Sequence, residues 1–292
     1  MPELPEVAAL ASFLAGRIAD RQVERCELAS FSALKSFDPP LDTLLGSTGR
    51  GCQRWGKFLC LDFGELWLVV HLARGGWVRW YDQVPVARGR PSKAPLALRV
   101  GLSSLEGNPP GPGFDLTEAG TEKRLAIWVA RDPAEVEPVA KLGPDPLDPS
   151  FDTPLLAGVL ATAQGTIKSA LTTQSLIAGV GNAYSDEVLH ASRLSPFKPA
   201  RNLSSAEVDC LRTNLVEILS AATERATTLG AATLKTDKKT AMRVHGRTGE
   251  ACLVCGDLVR EVAFASRSFQ YCATCQTGGK PLADRRLSRL LK

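Results

Sequence analysis

Apolar positions along the chain change spacing twice. Over residues 5–17, Val7, Leu10 and Leu14 recur three and four apart, which predicts a helix. Pro5 suits its first position, Glu6 its first turn, and Gly16 lies near its stop. From about residue 20 to 132 the signal becomes short β-type runs: "FLCLDF", "LWLVVHL", "WVRWYD", "LALRVGL" and "RLAIWVA". Turns bearing Gly and Pro separate them, and "EGNPPGPGFD" (106–115) reads as the plainest loop. Several short strands at close spacing predict a β-sandwich or barrel-like domain over 1–132, with the first helix at its edge. Residues 133–150 thin out in apolar content and gather prolines, as a linker does. From 151 to 246 the pattern is helical in "TPLLAGVLATA", "TIKSALTT", "NAYSDEVLHAS" and "SSAEVDCLRTNLVEILSAATERATTL". Ser204 with Glu207 predicts a capping box at the start of the last of these. A cysteine-bearing segment, 247–278, and a tail, 279–292, complete an α+β multidomain chain without internal repeats.

Composition narrows the class only a little. The chain has 292 residues, 44% hydrophobic and 23% charged, which is ordinary for a globular protein with room for two domains. No run approaches the roughly 18 apolar residues of a membrane span. The start carries Glu3 and Glu6 in place of a basic-then-apolar leader, so a cytoplasmic location is expected, at the nucleoid in a prokaryote. The net charge is +4, and the tail alone accounts for it, with Lys280, Arg285, Arg286, Arg289 and Lys292 against Asp284. Such a tail fits an anionic partner, nucleic acid among them; a solvated terminal helix reads the same way.

Two features carry chemistry. Cys252 and Cys255, then Cys272 and Cys275 after sixteen residues, form two Cys-x₂-Cys turns at the spacing of a four-thiolate zinc site. Two disulfides are the other reading, which a cytosolic chain disfavours. Four thiolates leave no open position, so the zinc, one per chain, is expected to be structural. The residues between them read as a β-hairpin with Arg267 at its turn, suited to a phosphate. Cys26, Cys52, Cys60 and Cys210 lack ligand spacing and read as buried thiols. The second feature is the start, "MPELPEV". Loss of Met1 would leave Pro2 as a secondary amine followed at once by Glu3; a plain capped helix start explains Pro5 and Glu6 but not this pair.

Five segments, in order, resemble the formamidopyrimidine-DNA glycosylase/endonuclease VIII family: "PELPEV", "RWGKFL" (54–59), "KLGPDPL" (141–147), "QSLIAGVGNAYSDEVLHASRLSP" (174–196) and "SRSFQYCATCQ" (266–276). The resemblance implies a helix-flanked β-sandwich, a helix–two-turn–helix module and a zinc finger. It implies an enzyme that excises oxidised or ring-fragmented bases from double-stranded DNA and cleaves the backbone by β,δ-elimination. In that scheme Pro2 is the Schiff-base nucleophile, Glu3 the general acid/base and Glu6 a supporting acid. Lys57, His71, Asn182 and Arg267 would grip phosphates around one flipped-out nucleotide, with Gly179 and Gly181 shaping the turn before Asn182. One active site per chain needs only a monomer.

The sequence also departs from that family. Where members favouring 8-oxoguanine have "HLGMSG" and "DPRRFG", this chain has "HLARGG" (71–76) and "GTEKRLA" (120–126). Arg74 then stands at the methionine, while Lys123 and Leu125 stand at the arginine and phenylalanine that fill the emptied duplex position; Leu125 is expected to act as the wedge. The stretch before the finger, "GAATLKTDKKTAMRVHGRTGEAC", is short for a base-covering loop, and the tail runs past the family's usual end. These departures point to ring-fragmented and oxidised bases, pyrimidines included, with weak 8-oxoguanine activity. They also motivate a second reading, a damaged-DNA binding protein of the same fold without catalysis.

Overall fold

The computed structural model describes residues 1–85, 95–105, 110–229, 234–263 and 268–283. The chain divides into two compact units, Met1–Lys141 with Thr223–Leu234, and Leu142–Ala222 with Lys235–Lys292.

The first unit opens with helix α1 (Leu4–Ile18) and continues as strands β1 (Val23–Leu28), β2 (Gly51–Trp55), β3 (Phe58–Asp62), β4 (Trp67–His71), β5 (Gly76–Tyr81), β6 (Leu96–Leu102), β7 (Gly113–Glu118) and β8 (Ala126–Ala130). They form two four-stranded sheets, ordered β1-β6-β7-β5 and β2-β3-β4-β8, with antiparallel neighbours throughout. One core serves both sheets and α1: Leu10 and Leu14 from the helix, Leu98, Val100 and Leu116 from one sheet, Leu59, Leu61, Val70 and Val129 from the other. This is the expected sandwich, and α1 packs against β2 and β3. The short helix α2 (Glu137–Ala140) follows β8.

One strand lies where the sequence reads as a loop. The last residues of "EGNPPGPGFD" belong to β7, a central strand paired on both sides. Gly113 looks like a turn residue, yet it sits where a Cβ would lie 2.2 Å from the Val100 carbonyl oxygen, so close backbone approach requires glycine there. Asp115 looks like a surface residue, yet it is buried beneath the guanidinium of Arg99, at 2.7 and 2.8 Å.

The second unit contains α3 (Thr153–Thr162), α4 (Ile167–Thr172), α5 (Asn182–Ala191) and most of the long helix α6 (Ser205–Thr228). Ser204 and Glu207 cap α6 reciprocally, at 2.8 and 3.3 Å. A further helix, α7 (Leu234–Ala241), occupies the Lys- and Thr-rich stretch that the sequence presents as a short loop. The hairpin of β9 (Val259–Ala263) and β10 (Ser268–Cys272) and the short helix α8 (Ala273–Thr277) end the described chain. Among the described residues no helix is long and apolar enough to cross a membrane.

Candidate active site and nucleic-acid interface

At the head of α1, Pro2 is buried, Glu3 and Glu6 are each 3% exposed, and Met1 is 49% exposed. Two carboxylates out of water at one helix start need donors. The Glu6 carboxylate takes the Glu3 backbone N–H at 2.8 Å, and the two residues form a capping box. The helix N-terminus also favours their negative charge. Glu6 therefore fixes the backbone of Glu3, and with it the residue on either side.

Lys57 lies in the two-residue turn joining β2 to β3, next in sequence to a strand that packs on α1. A turn lysine is ordinarily exposed, but this one is 6% exposed. Its neighbour Phe58 is paired across the sheet with His71, their rings 4.9 Å apart. Burial, with the Lys57 charge second, pulls the His71 pKa down to about 4. His71 is therefore neutral at physiological pH and offers hydrogen bonds rather than charge.

A stability effect follows. An unfolded histidine titrates near 6.5, whereas folded His71 stays neutral until about pH 4. As pH falls between those values the unfolded chain takes a proton that the folded chain refuses, so stability is lost on acidification. The loss should reach about 2 kcal/mol by pH 5. Urea unfolding of wild type and His71→Gln at pH 7.5 and pH 5 should show this dependence only in wild type; equal slopes would contradict it.

After His71 the chain turns through Ala73, which adopts a positive φ of 49°, and exposes Arg74. The turn is tied to the loop after β7 by the Ala119 N–H donating to the Gly75 carbonyl at 2.9 Å. Within that loop the buried carboxylate of Glu118 accepts the N–H groups of Arg124 and Leu125 at 2.6 and 2.7 Å, and Lys123 Nζ donates to the Glu118 carbonyl at 2.7 Å. Lys123 and Arg124 are exposed. Leu125, expected from the sequence to act as a wedge, is 2% exposed within the sandwich core. Its N–H is held inward by Glu118, and β8 begins at the next residue, so its side chain joins the apolar face of the sheet.

In the second unit Asn182 is the first residue of α5, and its amide donates to the Ser268 carbonyl of β10 at 2.6 Å. The turn before it is braced by Gln174, which donates to the Thr172 and Val180 carbonyls at 3.0 and 2.8 Å and accepts the Gly179 N–H at 3.0 Å. Gly179, at φ +81°, needs the freedom of glycine. Gly181 does not: it is the extended N-cap of α5, at φ −125°. The "KLGPDPL" segment straps the same turn, Gly143 N–H donating to the Gln174 carbonyl and Ala178 N–H to the Pro144 carbonyl.

A buried polar network that sequence reasoning missed lies beneath Asn182. Lys168 Nζ donates to the Asn182 carbonyl and the Ser185 hydroxyl, each at 2.8 Å, and pairs with Asp186. The other Asp186 oxygen meets His245 Nδ1 at 2.6 Å and accepts the Gln270 N–H at 3.2 Å. Glu187 accepts the N–H groups of Arg243, Val244 and His245 at 2.8, 2.9 and 2.8 Å. The available signal was two adjacent acids in "SDEVLH", followed at once by the apolar pair Val188 and Leu189.

The two cysteine turns converge. Cys252 Sγ lies 3.9 Å from Cys275 Sγ, and Cys255 Sγ lies 3.4 Å from Cys272 Sγ. Asp257 and Thr274 tie the turns together at 2.9 Å. The sulfurs of Cys252, Cys272 and Cys275 lie within 4.8 Å of one another and of a His190 ring nitrogen. Soft donors at tetrahedral spacing fit a zinc ion. Of the remaining cysteines, Cys60 is buried and Cys26 and Cys52 are partly so, but Cys210 is exposed, contrary to expectation. Arg267 and residues 284–292, most of the basic tail, lie outside the described residues.

A helix-flanked sandwich, a helical module and a cysteine-held hairpin, in that order, are the layout of a DNA-repair glycosylase. Family models agree along the chain: formamidopyrimidine-DNA glycosylase N-terminal domain over residues 1–108, formamidopyrimidine-DNA glycosylase H2TH domain over 142–233, and the zinc finger found in FPG and IleRS over 249–278. A formamidopyrimidine-DNA glycosylase of Symbiobacterium thermophilum is 32% identical over 94% of this chain and 89% of its own. An uncharacterized formamidopyrimidine-DNA glycosylase-like protein of Mycobacterium tuberculosis is 58% identical over 52% of this chain and 94% of its own. The crystal structure of the Lactococcus lactis formamidopyrimidine-DNA glycosylase bound to DNA containing an abasic site aligns with a TM-score of 0.81 at 26% identity, over 94% and 99% of the two chains. The chain belongs to the formamidopyrimidine-DNA glycosylase family.

Proposed function

We propose that this protein is a bifunctional DNA glycosylase and abasic-site lyase of base-excision repair, acting on damaged double-stranded DNA as a cytoplasmic monomer. The observation that carries the reading is the amino-terminal constellation: a buried Pro2 heading α1, with the buried acids Glu3 and Glu6 beside it in sequence. Without Met1, the Pro2 nitrogen is a secondary amine. It bonds to C1′ of the damaged nucleotide as the glycosidic C–N bond breaks, and Glu3 supplies the proton for the sugar ring or the departing base. The Pro2 nitrogen sheds its own proton, the C1′–O4′ bond opens as the ring oxygen takes a proton, and the product on Pro2 is an iminium, charged without further protonation. It acidifies C2′; loss of that proton expels the 3′ phosphate, and a second elimination expels the 5′ phosphate.

Lys57, Asn182 and Arg267 contact phosphates in this reading, and neutral His71 donates a hydrogen bond to one. With Leu125 in the core, the duplex position left by a flipped base is met by cations, Arg74 and Lys123, instead of an apolar wedge. That supports a substrate range of ring-fragmented and oxidised bases, pyrimidines included, over one restricted to 8-oxoguanine. The four cysteines hold one structural zinc, which cross-links the two turns of the finger and takes no part in the chemistry.

Borohydride reduction of wild-type protein on a duplex with a single abasic site tests the reading. A reduced adduct mapped to Pro2 is expected. Tight binding without an adduct, by protein shown to have lost Met1, would overturn it in favour of damaged-DNA binding without catalysis.

A further inference from the structure

The sulfurs of the finger have a fifth neighbour. His190, one residue from the end of α5, places Nε2 3.3 Å from Cys252 Sγ. His190 is 3% exposed, and its Nδ1, out of contact with water, has no hydrogen-bond partner among the described residues.

A zinc ion in such a site takes four donors, and five are present. The state of Nδ1 separates the roles. An imidazole that binds metal through Nε2 carries its proton on Nδ1 and ordinarily gives it to a carboxylate, a carbonyl or water. Here Nδ1 has no acceptor, so that tautomer would bury an unpaired N–H. The other tautomer carries the proton on Nε2, aimed at Cys252 Sγ, and leaves only a lone pair at Nδ1.

Four thiolates around a divalent ion leave net negative charge, which hydrogen-bond donors disperse. Cys252, 3% exposed, sits against the imidazole.

We propose that His190 is an outer-sphere donor to the metal-bound Cys252 thiolate, a link by which the helix that begins at Asn182 stabilises the metal in the finger. This rests on the zinc reading above. His190 is thus a positioning residue, and the four cysteines remain the ligands.

Full-length protein, with zinc exchanged for cobalt(II), tests the link through three chains: wild type, His190→Phe, which keeps a ring but no donor, and His190→Gln, which keeps a donor. One metal per chain and a four-sulfur cobalt spectrum are expected in all three. Chelator competition should show metal affinity falling 10- to 100-fold in His190→Phe, with partial recovery in His190→Gln. Affinity in His190→Phe within about twofold of wild type would overturn the proposal. So would a wild-type cobalt spectrum of three sulfurs and one nitrogen that changes in the variant, because His190 would then be a ligand. Wild type that binds no metal would remove the zinc reading itself, before any variant is compared. A ¹⁵N spectrum of zinc-loaded wild type gives a check that needs no variant: the Nε2–H tautomer at His190 is expected, and the Nδ1–H tautomer would overturn the assignment.

Discussion

The Pro2→Leu variant is expected to lose at least about a hundredfold in borohydride-trapped product on an abasic-site duplex, while its affinity for that duplex stays within a few-fold. Start methionine is commonly removed when the second residue is small, and a leucine there retains it. The variant then has no free amine at position 2, and the amine of Met1 lies one residue away, on a residue that is 49% exposed where Pro2 is buried. Leucine suits a buried place, and the capping of α1 by Glu3 and Glu6 does not involve the side chain of residue 2. Binding and trapping are therefore separable, and that separation is the point of the measurement. Undiminished trapping in protein confirmed to retain Met1 would move the nucleophile elsewhere in the chain.

The Lys168→Met variant is expected to be destabilised by about 3–5 kcal/mol, the usual result of removing one partner of a buried ion pair. The side chain of Lys168 is 9% exposed and that of Asp186 is fully buried. Methionine fills the space of the lysine stem but removes the cation paired with one buried oxygen of Asp186 and a donor to the Asn182 carbonyl. Since that carbonyl belongs to the residue proposed to hold a phosphate, weaker duplex binding is expected alongside weaker folding. Lys198→Met provides the contrast. Its pair with Glu207 is 30% and 32% exposed, and such a pair is worth about 1 kcal/mol or less. Denaturant unfolding of the two variants side by side should separate them clearly; similar losses would mean that burial of Lys168 is not what gives its pair weight.

The sandwich strands that read most clearly in the sequence, β3, β4, β5, β6 and β8, are those whose residues are mostly apolar and bounded by turns. β7 was hidden because its glycine and aspartate have roles only a neighbour explains: Gly113 faces the Val100 carbonyl, and Asp115 faces Arg99. The helix α7 was hidden for a related reason. Its Lys and Thr residues lack the apolar stripe by which a surface helix announces itself, and one of its contacts is Lys238 over the ring of Tyr184, at 4.6 Å. Leu125 is the opposite case. An apolar residue in a motif position reads as a wedge, and the folded sheet places it in the core with its backbone N–H bound to Glu118.

By itself the sequence determined the order of modules, the helix behind Pro2, the paired cysteine turns and the family, because each is written in local spacing or in short motifs that survive without a partner. Tertiary structure alone decided that Lys57 is buried, that Leu125 belongs to the core, that Gln174 braces the turn before Asn182, and that Lys168, Asp186 and His190 tie α5 to what surrounds it. The physical reason is common to all of these. A side chain's charge state and role depend on what displaces its water, and for these residues that is often chain tens of positions away in sequence.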